Sequence, residues 1–489
     1  MIKMDANRQA AALDALEALV GADGVTRDPA ALAPFHSGVA LPLGIIAPRD
    51  TEQLAKVLAV ASEAGAALQP VCRAVAGQEV AARDKIILLD LGRMNEILEI
   101  NENLAYCLVE PGVTFRQLSE QIGERGLKLW VDCPGEPDES VASAFLKRRV
   151  GYTPYADHYL MQCGLELMLA DGRSVRTGMG AMPKSTCWQL FKFGYGPWID
   201  GLFTQSDLGV VTKLGLWLMP QPPAAQSFAV TVPDEDDLGK LLDVLGPLKT
   251  NMVVPNGVAV ANALHEAARS GKVRRDFGGT GPMSAGEVRK AGESIGLGYW
   301  TLYGSLYGLP DNVRIAWSMV QDAFASIKGS RVLAAPAAGM EGLWAWRKGM
   351  MLGSVGNALG RPSAWAGGSS LDIGPISPVD GKEGLRLYDL SRDISGRHGF
   401  DFVGETNAVW RSAQHRQYLC FDGSPAGSKR ARDCAIELID AQAGAGFGQT
   451  HVEPALAASA RATYESGAIT QLHARVKRAL DPANLFLSA

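Results

Sequence analysis

The sequence predicts an α+β protein built as two lobes, and three observations carry that expectation. Helix-period segments alternate with short apolar strands in the first two hundred residues. A Pro-rich step, Gln221-Pro222-Pro223, then interrupts the pattern. Beyond it, strands and helices follow one another in the manner of an antiparallel α+β unit.

The elements are expected in the following order. Ala12, Leu13, Leu16, Leu19 and Val20 recur at helical spacing and predict a helix over 8–22 that stops near Gly21. A short strand at 44–48 precedes a helix over 51–64, and strands follow at 68–71 and 86–91, a βαβ-type beginning. The stretch 97–110 alternates around Asn101-Glu102-Asn103 and predicts a hairpin with an Asx turn. Thr114 is placed to cap a helix over 115–123, which returns to 127–130. A second hairpin, 165–169 with 174–176, turns on Asp171-Gly172, and a strand at 210–218 leads to the boundary at 223. In the second lobe, strands are expected at 228–232, 299–307 and 418–421, with helices at 234–245, 312–328, 384–399, 429–444 and 455–480.

The chain has 489 residues, about three times a typical domain, so two or three cores are expected. Net charge is −5 and no run of cations exceeds Lys147-Arg148-Arg149, which argues against nucleic acid or a membrane surface as a partner. Seven cysteines form no CxxC pair and sit in apolar surroundings, reading as buried thiols rather than disulfides or a zinc site. The first residues are amphipathic with acids throughout and lack the apolar core of about 7–15 residues that a signal peptide carries. No apolar window of about 20 residues exists, so no membrane span is expected. The expected location is cytoplasmic, and periplasmic only if an exported partner carries the chain.

Several strings resemble the vanillyl-alcohol oxidase and p-cresol methylhydroxylase family. They are Val150-Gly-Tyr-Thr-Pro-Tyr-Ala-Asp-His158, Arg176-Thr-Gly-Met-Gly-Ala-Met-Pro183, Lys192-Phe-Gly-Tyr-Gly-Pro197 and Gly201-Leu-Phe-Thr-Gln-Ser-Asp-Leu-Gly-Val-Val-Thr-Lys213. Leu216-Trp-Leu-Met-Pro220, Leu89-Asp-Leu-Gly-Arg-Met-Asn-Glu-Ile97 and Val109-Glu-Pro-Gly-Val113 agree as well. The resemblance implies a two-subdomain FAD-binding domain of the PCMH type over 1–223, an α+β cap with an antiparallel sheet over 224–445, and a segment, 446–489, that returns to the first domain. It also implies hydride transfer from the benzylic carbon of a 4-alkylphenol to FAD.

The residues that would serve this chemistry are altered. The family's pyrophosphate loop is rich in glycine, because only glycine lets the backbone approach the phosphates so closely. Here the loop reads Val71-Cys-Arg-Ala-Val-Ala-Gly-Gln-Glu-Val80. If FAD is bound, the resemblance assigns its contacts to Arg73, Ala74, Val75, Ala76, Gly77, Gln78, Pro134, Ser140, Val150, Gly209 and Val210; Arg73 reads first as a solvated arginine. In Ser140-Val-Ala-Ser-Ala-Phe-Leu-Lys-Arg-Arg-Val150 small residues of the family have become Phe145 and Arg149, which are expected to fill the flavin's volume. No His or Tyr lies between 351 and 387, and Ser370 stands where a flavin-linking histidine would, so covalent attachment there is excluded. The Tyr-Arg pair that stabilises phenolate is replaced within Gly446-Phe-Gly-Gln449-Thr-His451, and Gly135 replaces an aspartate that Glu136 or Asp138 would have to supply. Lowering a phenol's pKa from about 10 to neutrality needs roughly 4 kcal/mol of anion stabilisation, most of which is then absent. Trp410, Arg411 and His415 match part of a cap strip, with Arg411 read as a buried, paired arginine. Histidines 36, 265, 398, 451 and 473 assemble no catalytic triad or metal site. No catalytic residue and no metal ligand is assigned.

Three functions follow from this reading, the third being a small-molecule binding module that uses the emptied cleft. The first is a non-catalytic subunit of a 4-alkylphenol methylhydroxylase or oxidase system, partnered by a catalytic flavoprotein paralogue or a second copy, with a cytochrome c as a further partner and no cofactor of its own. The second is an oxidoreductase holding FAD non-covalently in a rebuilt site.

Overall fold

A computed structural model describes residues 6–35, 41–74, 86–356, 359–464 and 467–487. Its first sheet has four strands in the order Val25–Thr26, Gly44–Ile46, Ile86–Asp90, Ala67–Val71. The last three run parallel to one another, as a βαβ beginning requires. Helix Thr51–Ala64 makes the crossover; Asp50 caps it by accepting Gln53 N at 2.7 Å, and Gly65 ends it at φ 67°. With helix Ala6–Val20 it buries Leu13, Leu16, Leu54 and Leu58 on Ile46, Ile87 and Leu89. The core is completed from far along the chain: Leu68 N donates to Leu485 O, Leu487 N donates to Leu68 O, and Phe486 is fully buried.

The second sheet is antiparallel, in the order Ile97–Asn101, Tyr106–Val109, Val210–Trp217, Gln162–Met168, Ser174–Arg176. Both expected hairpins are present. The Asx turn forms through Leu104 N, which donates to Asn101 Oδ1 at 3.0 Å. Thr114 caps helix Phe115–Glu124, whose Phe115, Leu118 and Ile122 reach the sheet.

The second lobe is one eight-stranded sheet: Arg331–Leu333, Ala224–Val232, Trp300–Gly308, Val258–Asn262, Val403–Val409, Ser412–Phe421, Ser369–Pro378, Gln449–Val452. Every neighbouring pair is antiparallel. Helices Asp237–Thr250, Pro310–Ala325, Gly381–Arg397 and Pro425–Gly444 cover its faces. Among the described residues no helix is long and apolar enough to cross a membrane, and all seven cysteines are free thiols.

The lobes are pinned together by the loop at 151–158. Buried Asp132 accepts Tyr152 N at 3.1 Å, Thr153 N at 2.6 Å and pairs with His158 Nε2 at 2.8 Å. From the cap side, Gly257 N donates to Thr153 O at 3.1 Å and Asn256 Nδ2 donates to Tyr152 O at 3.1 Å.

Behind Asn256 lies Lys249, whose ammonium donates to Asn256 O and which burial alone pushes down to about 7. An unfolded lysine keeps its proton to about pH 10.4, so between these values the unfolded chain binds more protons and stability rises with pH. Below about pH 7 both states are charged and the desolvation cost is constant. The stability of Lys249→Met relative to wild type should therefore decline by roughly 2–4 kcal/mol from pH 7 to pH 10. Denaturant titration across that range checks it, and a constant difference would refute it.

Candidate functional site

The lobe junction is where the sequence reading places its cofactor contacts. Val75, Ala76, Gly77 and Gln78 lie outside the described residues. Of the rest, Arg73 is exposed, and Ala74 N donates to Asp90 Oδ1 at 3.1 Å, an oxygen that also takes Gly92 N at 2.8 Å. Next to them Cys72 is half-buried; desolvation pushes its thiol up to about 11, against a smaller lowering effect of the Ser140 hydroxyl. Ser140 caps helix Val141–Leu146 by accepting Ser143 N at 3.0 Å, while its hydroxyl donates to Pro111 O at 2.5 Å. The fold thus brings the start of the loop at 72–74 to Ser140. Pro134 and Gly135 are buried; a Cβ on Gly135 would lie 3.7 Å from Met350 Sδ and from Trp346, on helix Glu341–Met351 of the cap. Val150 bridges to Asp157. Gly209 sits beside Met168 O, and Val210 turns its side chain into the core of the first sheet.

Phe145 stacks its ring on the buried His158 ring at 4.5 Å and 5°, inside the core of the antiparallel sheet. It follows Val141 by four residues, so it shares that residue's core-facing side of the helix. Arg149 pairs with Glu139 at 3.3 Å. Arg411 is not buried but exposed, in the tight turn between strands Val403–Val409 and Ser412–Phe421, with Trp410 at φ 55°.

On the cap side, His415 is held through both ring nitrogens, by Ser377 Oγ at 2.8 Å and Thr406 Oγ1 at 2.9 Å. Burial pushes it down to about 4, so it is neutral at physiological pH. Gln449 donates from Nε2 to Gln442 Oε1 at 2.7 Å, and its buried Oε1 has no hydrogen-bond partner among the described residues. Ser370 lies on strand Ser369–Pro378 opposite Cys420. Asp138 is exposed and bound by Arg116 at 2.7 Å; Glu136 lies 3.8 Å from Arg361. A phenolate reaching Gln449 would meet a lone pair in place of a guanidinium.

The sequence reading missed the strongest charge cluster. Arg347, on helix Glu341–Met351, is buried between Glu266 and Glu405, each at 2.5 Å. Tyr303 OH donates to Glu266 at 2.7 Å, and Tyr152 OH and Asn407 Nδ2 each donate to Glu405 at 3.0 Å. Burial raises both carboxyls, but Arg347 outweighs it, holding Glu266 at about 2 and Glu405 far below the usual range. His265 pairs with Glu266 at 2.8 Å, and burial lowers it. His265, Glu266 and Glu405 stand close enough to hold a metal ion, but Arg347 already supplies their cation. A signal was present in the sequence: Leu343, Trp344, Arg347, Met350 and Met351 share one helical face, so Arg347 sits in an apolar stripe.

These features sit in a recognisable frame. The FAD binding domain family matches residues 42–178. The 4-cresol dehydrogenase [hydroxylating] flavoprotein subunit of Pseudomonas putida is 35% identical over 406 residues, 82% of this chain and 77% of that one. This chain belongs to the p-cresol methylhydroxylase flavoprotein family. Its fold matches the solved p-cresol methylhydroxylase with substrate bound at TM-score 0.93, with 30% identity over 99% of this chain and 96% of the other. The 4-ethylphenol oxidase of Gulosibacter chungangensis, in an isoeugenol complex, matches at 0.92, again 30% identical over 99% and 96%. Family membership makes the chain a relative of FAD-dependent oxidoreductases, with a PCMH-type FAD-binding fold. These matches support FAD as the cofactor. Among the described residues, the Ala74 amide and the Ser140 hydroxyl are bonded to protein acceptors, and Glu139 is paired with Arg149.

Proposed function

We propose that this chain is a non-catalytic subunit of a 4-alkylphenol-oxidising flavoprotein system, paired with an FAD-bearing paralogue. One observation carries the reading: the polar groups of the substrate lobe are spent on one another. His415 is neutral and held at both nitrogens, Arg347 is locked between two carboxylates, and Gln449 presents an acceptor. None of these can create a phenolate or take its proton. The loop at 151–158 is firmly held through Asp132, as expected of a chain kept for its shape. The Pseudomonas putida relative is by name a flavoprotein subunit, which supports assembly with another chain. The division into 1–223, 224–445 and a returning 446–489, and a cytochrome c as further partner, belong to the same proposal.

The second reading, an oxidoreductase with non-covalent FAD, is favoured by the match of residues 42–178 to the FAD binding domain family and by a 35%-identical relative that is by name a flavoprotein subunit. FAD would then run along Arg73, Ala74 and Ser140, and the loop at 75–78 would have to supply the phosphate donors. Purification followed by reconstitution with excess FAD separates the two. The first reading expects colourless protein, under about 0.1 flavin per chain, that co-purifies with a yellow paralogue from the native host. One heat-releasable FAD per chain would overturn it and establish the second.

A further inference from the structure

We propose that the cavity between helix Ala285–Glu293 and helix Gly381–Arg397 binds a small organic ammonium ion with an aromatic body. The cavity measures about 500 Å³, within the range of small-molecule sites, and shares no residue with the lobe junction.

Its floor is a preorganised carboxylate. Tyr299 OH and Tyr388 OH, 2.9 Å apart, donate to Glu235 Oε1 at 3.0 and 2.6 Å, and Arg392 donates to the same oxygen at 2.8 Å. Burial raises this carboxyl, but the bonds from Tyr388 and Arg392 outweigh it and hold it below its ordinary value, so it is ionised. All three donors converge on one oxygen. The other, Oε2, accepts no hydrogen bond from the described residues.

The charge surplus is negative. Arg392 also spends its donors on Asp393 Oδ1, at 3.1 and 2.8 Å, and lies 3.1 Å from Asp389. Three carboxylates thus share one guanidinium, and Asp393 Oδ2 stays open like Glu235 Oε2. The remaining cations near the rim are taken: Arg397 by Glu437 at 2.5 Å, and Arg274 by Asp401 at 3.0 Å. Among the described residues that line the cavity, both arginines, Arg392 and Arg397, are paired with carboxylates. The lining also includes Leu264, Val288, Phe400 and Phe402; the half-buried Phe402 ring packs edge-on against Tyr388 at 4.8 Å, beside the carboxylate. A ligand that suits this lining carries an ammonium for the two open carboxylate oxygens and a ring to lie against Phe402.

Calorimetric titration of the full chain with tyramine, and with 4-ethylphenol as its uncharged counterpart, tests this. Tyramine should bind saturably and at least about tenfold more tightly than 4-ethylphenol. Glu235→Gln should abolish the preference. Asp393→Asn, at a half-exposed position outside the packed floor, should fold normally and weaken tyramine about three- to tenfold. Absence of saturable tyramine binding, equal affinity for the two probes, or wild-type tyramine affinity in Asp393→Asn would each overturn the proposal.

Discussion

Arg347→Met will lower the stability of the substrate lobe by roughly 3–5 kcal/mol, since removing one member of a buried ion cluster leaves the others uncompensated. The side chain fits the space, so the loss is electrostatic: Glu266 and Glu405 would remain in the lobe's interior with His265 lowered by burial and Tyr303, Tyr152 and Asn407 as neutral donors. The pH dependence gives the sharper test. In wild type the two carboxyls titrate below their unfolded value of about 4.3, so their contribution is present above that pH and is lost as pH falls toward about 2. Without Arg347 burial alone acts on them, their folded values rise above the unfolded one, and protonation becomes stabilising. The deficit of the variant should therefore be largest near pH 7 and shrink below about pH 5. Thermal melts at both pH values decide it; a deficit that grows in acid would show that Arg347 does not neutralise this pair.

Gly151→Ala will cost a similar amount for a steric reason, about 3–5 kcal/mol. A Cβ there would fall 1.3 Å from Asp132 Oδ1, which cannot be relieved without moving the carboxylate. Moving it abandons the amides of Tyr152 and Thr153 and the imidazole of His158 together. Gly151 O is itself crowded by Gly257, whose added Cβ would stand 2.3 Å away, so the backbone has no room to retreat. Because the same loop takes the bonds from Gly257 and Asn256 of the second lobe, limited proteolysis should cut near 151–158 in the variant and spare wild type. Equal protease resistance would mean that the junction is held elsewhere.

The sequence was most readable where one local rule sufficed. The apolar run at 86–90 became the central strand of the first sheet, and Asn101 and Thr114 formed the turn and cap that their side chains favour. Strand Ser369–Pro378 was not legible, because Gly374 and Pro375 break the pattern and proline has no N–H to donate. The fold accommodates them at a register shift against Gln449–Val452. Strand Val258–Asn262 is buried throughout, so it lacks the alternation that marks a half-exposed strand. At the candidate site, a motif comparison could say that Phe145 and Arg411 stand at family positions but not where their side chains point. Phe145 turned to the core and Arg411 to solvent. The Arg347 cluster draws on residues more than 80 positions apart, which no local string contains.

The pairing of Leu68 with Leu485 and Leu487 fixes an order of events during synthesis. The opening sheet lacks a neighbour along one edge, and Phe486 in its interior, until translation has passed residue 487. By then the whole cap has left the ribosome and can already be folded. The earliest-made strands are thus the last to be sealed, and a nascent chain arrested inside the cap would carry an open β edge available to chaperones or to another chain.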